Sequence, residues 1–276
     1  MTGWRKTVKR AVAPLSSRLR FHPADAIQGT ILCYHTIGRS AAPEVVASSE
    51  FARQMDALAR RFEVLRLSDL VSRILGAPDG RSPGRERVAI AFDDGLMGVL
   101  EHALPVLVER QLAATAFLLP GLWGRTAPWP SPAPTAARRL WDEADALTWT
   151  GAGMDIGSHG MTHSFLPESD EAQLRYEIEG SRNELQKSFG EIDGFSYPWG
   201  VATPREQAFV RQAGYRYAVA GGYGRYHRAA DRFSLRRLAI DHEDDLRDFE
   251  MKLRGGYDWL SILHIGPGKA RSWPSR

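Results

Sequence analysis

From about residue 30 to residue 240, short apolar runs alternate with segments of helical periodicity. The run over residues 88–92 is apolar throughout, so both of its faces must be covered, as in a parallel sheet flanked by helices. Residues 30–35, 88–92, 114–119, 154–157, 195–197, 217–220 and 234–240 read as strands. Between them, residues 49–62 put Phe51, Met55, Leu58 and Phe62 on one helical face, and Ser68 is placed to cap a helix over 69–75. Residues 96–110 form a helical pattern broken at Pro105. A helix over 168–189 stops at Gly190, and another opens on a capping box of Thr203 and Glu206 around Pro204 and ends at Gly214. Residues 121–134 hold too much proline for regular structure, and residues 244–263 form a last amphipathic helix. This alternation predicts an α/β fold, either a (β/α) barrel or a doubly wound sheet, with chemistry at the carboxyl ends of the strands.

A length of 276 residues suits one large domain of this kind. The net charge of +3 is mild, and no basic stripe interleaved with aromatics appears in the body of the chain, so no nucleic-acid partner is expected. The single cysteine, Cys33, excludes an internal disulfide and reads as a small core residue. No run of about 18 apolar residues is present to span a membrane, and no apolar core follows the basic N-terminus as a secretory signal requires. The expected location is therefore cytoplasmic, or at the inner membrane face. Residues 1–20 carry six Lys/Arg and no acid, a composition compatible with peripheral contact to an anionic membrane. The expected organisation is a basic extension over 1–28, a catalytic domain over 29–243, and a C-terminal helix and tail over 244–276.

Two carboxylates, Asp93 and Asp94, end the strand at 88–92. After the strand at 154–157 come His159 and His163, spaced to close on one ion. Two imidazoles and a carboxylate leave coordination positions open, as a catalytic metal needs. Together Ala91-Phe92-Asp93-Asp94-Gly95 and His159-Gly160-Met161-Thr162-His163 resemble the first two motifs of the polysaccharide deacetylase (NodB-homology) family of carbohydrate esterases. Ser196-Tyr197-Pro198-Trp199-Gly200 partly matches the third.

The resemblance implies a distorted (β/α) barrel that removes N-acetyl groups from an amino-sugar glycan, such as an intermediate of exopolysaccharide or cell-wall synthesis. It implies that Asp94, His159 and His163 hold a divalent metal, usually zinc or another transition ion, and that Asp93 is the general base. Pro198, Trp199 and Gly200 would shape the substrate-binding loop, with the Trp199 indole as one wall and a nearby backbone N–H facing the oxyanion. The family's third-motif arginine, which orients the base, is replaced here by Ser196. Arg236 or Arg237 on the last strand is the candidate substitute, and Arg237 is grouped with the substrate-binding residues. For the general acid, Ile262-Leu263-His264 matches the family's last motif in letters but falls within a helical pattern. His35, ending the first strand, is preferred, as in circularly permuted members. Two other readings stay open: a carbohydrate-binding pseudoenzyme, and an amide hydrolase acting on a small nitrogenous molecule. A groove lined by Trp123, Trp129 and Trp199 would favour a glycan.

Overall fold

The computed structural model describes residues 27–39, 42–76, 85–222, 224–228 and 231–258. Its strands are β1 (Ile27–Gln28), β2 (Thr30–Tyr34), β3 (Thr36–Gly38), β4 (Val45–Ala47), β5 (Glu63–Leu65), β6 (Arg87–Phe92), β7 (Thr115–Leu118), β8 (Asp155–Ser158), β9 (Gly194–Ser196), β10 (Tyr217–Val219), β11 (Tyr226–His227) and β12 (Leu238–Ala239). The main sheet is parallel throughout, in the order β10-β9-β8-β7-β6-β2-β12, with β5 added beside the first half of β6. It curls into the expected barrel. The seam is bridged by residues 235–240: Leu235 pairs with Val219 of β10, while Leu238 and Ala239 pair with Leu32 and Cys33 of β2.

Alternation along the strands sorts the core into two layers. Leu32, Tyr34, Val88, Ile90 and Phe92 face the main cluster with Phe51, Trp141 and Trp149. Ile31, Ala89, Ala91, Phe117, Tyr217, Val219 and Leu235 face a second cluster, completed by the helix Leu67–Leu75. Fully apolar strands are therefore required by burial on both sides. Extending the same parity upward puts Cys33, His35, Asp93 and Arg237 on the side of the second cluster, at or just beyond the strand ends.

Several local expectations are adjusted. Ser68 lies inside the helix Leu67–Leu75 rather than capping it, and its hydroxyl turns to Asp155 at 3.4 Å. The break at Pro105 takes the form of a π-helical turn, Val99–Ala103, before Leu104–Glu109, which accommodates a residue that has no N–H to donate. The helix before Gly190 runs from Glu171 with a second π turn at Tyr176–Gly180, and Gly190 stops it at φ 74°. The Thr203 capping box is present, with Glu206 accepting the Thr203 N–H at 2.9 Å. The last helix covers only Leu246–Leu253, because the chain turns through Gly255 at φ 80°. The expected continuation to residue 263, and with it His264, lies largely outside the described residues, as do residues 1–26.

Candidate active site

The register of β2 on β6, Tyr34 against Phe92, sets His35 and Asp93 one step beyond the last pair of two neighbouring strands. The Asp93 N–H continues the ladder by donating to the Tyr34 carbonyl at 2.9 Å. Across β7, the His159 N–H donates to the Leu118 carbonyl at 2.8 Å, which brings the end of β8 to the same rim. One Nδ1/Nε2, carboxylate or Sγ atom each from Asp94, His159 and His163 lies within 4.8 Å of the others, and the same holds for Cys33, His35 and Asp93. Residues separated by as many as 128 positions in sequence are thus gathered by topology, as His35 and His163 show.

Asp93 is held from several sides. Arg237 donates two parallel bonds to it, Nη1 to Oδ1 and Nη2 to Oδ2, each 2.8 Å. The Ser196 hydroxyl donates to Oδ1 at 3.1 Å, and the Cys33 thiol approaches Oδ2 at 3.6 Å. Burial opposes ionisation of Asp93, but the Arg237 guanidinium, followed by the His159 ring, holds its carboxyl well below the usual carboxylate range. Burial also pushes the Cys33 thiol far above its ordinary value, so it serves as a weak donor and not as a nucleophile. Of the two candidate arginines Arg237 is the one that reaches Asp93, whereas Arg236 is exposed. Arg237, grouped with the substrate-binding residues from the sequence, is engaged here by the protein: its Nη1 and Nη2 donate to Asp93, and Nε donates to the Ala220 carbonyl at 3.2 Å.

Asp94 faces the other way, into the histidine pair. Its Oδ1 stands 3.3 Å from His159 Nε2 and 3.4 Å from His163 Nε2. The His159 Nδ1 meets the Ser196 carbonyl at 2.8 Å. Assigning the proton to Nδ1 leaves Nε2 with a lone pair aimed at Asp94. Asp94 Oδ1 is then a buried oxygen with no hydrogen-bond donor, an arrangement that calls for a cation. Burial pushes the His163 ring down to about 4 even with Asp94 beside it, so it is neutral near pH 7. Burial also works against charge on His159, but Asp93 and then Asp94 raise it. The spacing suits a metal: donors about 2.1 Å from a tetrahedral zinc stand about 3.4 Å apart. Two imidazole nitrogens and one carboxylate oxygen therefore fit a divalent ion, in donor type and in separation.

The backbone here is strained. Among the described non-glycine residues, Asp94, Gln111, His163 and Trp199 have positive φ, and three of these four belong to the site. His159 and His163 sit in an irregular turn after β8, not in a first helical turn. Trp199 is 41% exposed, and its ring lies 4.9 Å from that of His163, while Trp129 lies 4.2 Å away. Trp123 instead packs on the main core. Pro198 is buried, and a Cβ on Gly200 would meet the Gly221 backbone at 2.9 Å, so only glycine closes that turn. Sequence reasoning missed the direct contacts of Cys33 and Ser196 with Asp93. The parity Ile31–Cys33 and the position of Ser196 within a buried strand were the available signals.

Fold and site together define a class: a curled parallel (β/α) barrel that gathers carboxylates and imidazoles at its carboxyl edge. Within that class, the sequence pattern of the polysaccharide deacetylase family matches residues 80–218, half of the chain, and the chain belongs to that family. No curated protein sequence matches it. The fold is shared with the Streptococcus pyogenes deacetylase PplD in complex with acetate (TM-score 0.69, 18% identity, covering 82% of this chain and 98% of that one). It is shared with IcaB from Ammonifex degensii (0.68, 19%, 83% and 96%). It is also shared with a de-N-acetylase from Aggregatibacter actinomycetemcomitans (0.63, 15%, 82% and 100%).

Proposed function

We propose that the chain is a metal-dependent de-N-acetylase acting on an N-acetylated amino-sugar glycan or glycan precursor, as in exopolysaccharide or cell-wall synthesis. The observation that carries this reading is the Asp94 oxygen left without a donor between two imidazole nitrogens, beside a second carboxylate held by arginine. Asp94, His159 and His163 would hold a divalent ion, with zinc suited to the donor set. Such an ion supplies Lewis acidity for the acyl oxygen and for water.

The remaining steps belong to the chain's own groups. Asp93 accepts the proton of the attacking water, displacing its weakest partner, the Cys33 thiol at 3.6 Å. Because Arg237 keeps Asp93 a weak base, the proton passes on to the His35 ring and restores the one that His35 gives to the leaving amine. His35, whose ring nitrogen is within 4.8 Å of an Asp93 oxygen, delivers a proton to the leaving amine. A backbone N–H near Trp199 is assigned to the oxyanion. Trp129 and Trp199, flanking His163, support a sugar ring as substrate because sugars stack on aromatic faces. The bidentate Arg237–Asp93 pair supports Arg237 in the place of the third-motif arginine, which weakens the pseudoenzyme reading. The charge of residues 1–20 supports peripheral contact with an anionic membrane. Among the described residues no helix is long and apolar enough to cross one.

Elemental analysis should find about one transition ion per purified chain, and acetate should be released from N-acetylglucosamine oligomers. In the double variant His159→Ala/His163→Ala both should disappear. Stoichiometric metal in that variant would refute the ligand assignment, and absence of acetate release from N-acetylated glycans by metal-loaded wild type would refute the activity.

A further inference from the structure

Glu177 is fully buried, in the π-helical turn that interrupts the helical run before Gly190. Its carboxylate faces the loop joining the two histidines. Oε2 accepts the backbone N–H groups of Met161 at 2.8 Å and Thr162 at 2.9 Å. Oε1 accepts the Ser164 hydroxyl at 2.9 Å, the Gln173 amide at 3.2 Å and the Thr162 hydroxyl. Five donors thus converge on one side chain, all but one of them from the segment 161–164 that contains His163.

That segment needs an external hold. Gly160 turns the chain at φ 87°, which glycine adopts freely, but His163 sits at φ 65°, a conformation that a non-glycine residue keeps only where its surroundings over-determine it. The two rings are also anchored unequally. A ligating histidine ordinarily gives its other ring nitrogen to an acceptor, which fixes its orientation. His159 has the Ser196 carbonyl for this purpose, whereas His163 Nδ1 is buried with no hydrogen-bond partner. The His163 ring is therefore oriented from its backbone and from the flanking indoles of Trp129 and Trp199.

We propose that Glu177 is a positioning residue for metal binding: through the 161–164 backbone it sets His163 Nε2 against Asp94, replacing the missing partner of the ring. The inference rests on the metal site of the preceding section and deepens it. It assigns to a buried carboxylate outside the ligand set the geometry of the third ligand.

The test measures the cobalt(II) dissociation constant by chelator competition, the visible spectrum of the cobalt protein, and the thermal midpoint without metal. Glu177→Leu should weaken cobalt binding by ~10–100-fold, the usual effect of losing an outer partner, and should shift the cobalt bands. Glu177→Gln should stay within about tenfold of wild type. Its amide oxygen can serve the two backbone N–H groups, and its NH2 can donate to hydroxyls rotated to accept. Glu177→Asp keeps the charge but withdraws it by one methylene, so it should bind cobalt more weakly than Glu177→Gln. It decides the matter if Glu177→Leu does not fold. A Glu177→Leu protein that is less heat-stable yet binds cobalt with wild-type affinity and spectrum would reduce Glu177 to a structural role and overturn the proposal. So would Glu177→Asp and Glu177→Gln both matching wild type. If wild type itself binds no cobalt, the metal-site reading fails along with this one.

Discussion

Strand β8 carries an ion-paired aspartate at its start and a candidate metal ligand just past its end. At the start, Asp155 pairs with Arg66 at 2.9 Å, with side-chain exposures of 24% and 50%. At the far rim, Asp93 pairs with Arg237 at 2.8 Å, and both side chains are 4% exposed. The residue types are the same, yet the ionisation differs in direction. Burial raises Asp155 above its ordinary value in spite of Arg66. Asp93 is buried more deeply but is held low, because the Arg237 guanidinium lies against it with two bonds and the His159 ring adds to that pull. How closely a cation engages a carboxylate, and which charges stand around it, decides whether burial can neutralise it.

The sharpest way to separate the two pairs is kinetic. Asp93→Asn should retain metal and lose ~10²–10⁴ in turnover, the usual contribution of a general base. Turnover near wild type would remove Asp93 from that role. Arg237→Met leaves a buried carboxylate uncompensated and should destabilise the fold by ~3–5 kcal/mol in urea titration. Part of that loss should return in the double variant Asp93→Asn/Arg237→Met, and a strictly additive double variant would show that the pair is not coupled. His35→Ala should cut turnover by about 10², the lower end for a proton donor, while His264→Ala stays near wild type. The reverse ranking would transfer the role to His264. Arg66→Ala should cost at most ~1 kcal/mol and leave metal content unchanged. A loss as large as that of Arg237→Met would erase the distinction drawn above.

Much of the site could be read in advance because its residues occupy strand ends, where motif and register coincide. Asp93 and Asp94 follow an apolar strand, His159 follows another, and His35 follows a third. The choice between Arg236 and Arg237 was also within reach, since Arg237 shares parity with the buried Leu235. Glu177 was harder to see. It belongs to the stripe of Leu174, Ile178 and Leu185, and one acid in an apolar stripe reads as an irregularity until its partners, 13 to 16 residues earlier, are known. The Ser68 cap was misjudged because the Asp155 acceptor that engages it lies 87 positions away. The Trp129 contact with His163 depends on an irregular proline-rich excursion, whose path no periodicity encodes.

The seam has a consequence for biogenesis. Leu238 docks beside Leu32, and the guanidinium that neutralises Asp93 arrives 144 positions after it. Asp94 and the two imidazoles leave the ribosome well before that. A nascent chain stalled ahead of the seam would own that candidate trio but leave the Asp93 carboxylate without its guanidinium, so this corner of the rim should mature last, when the final staves close the cask.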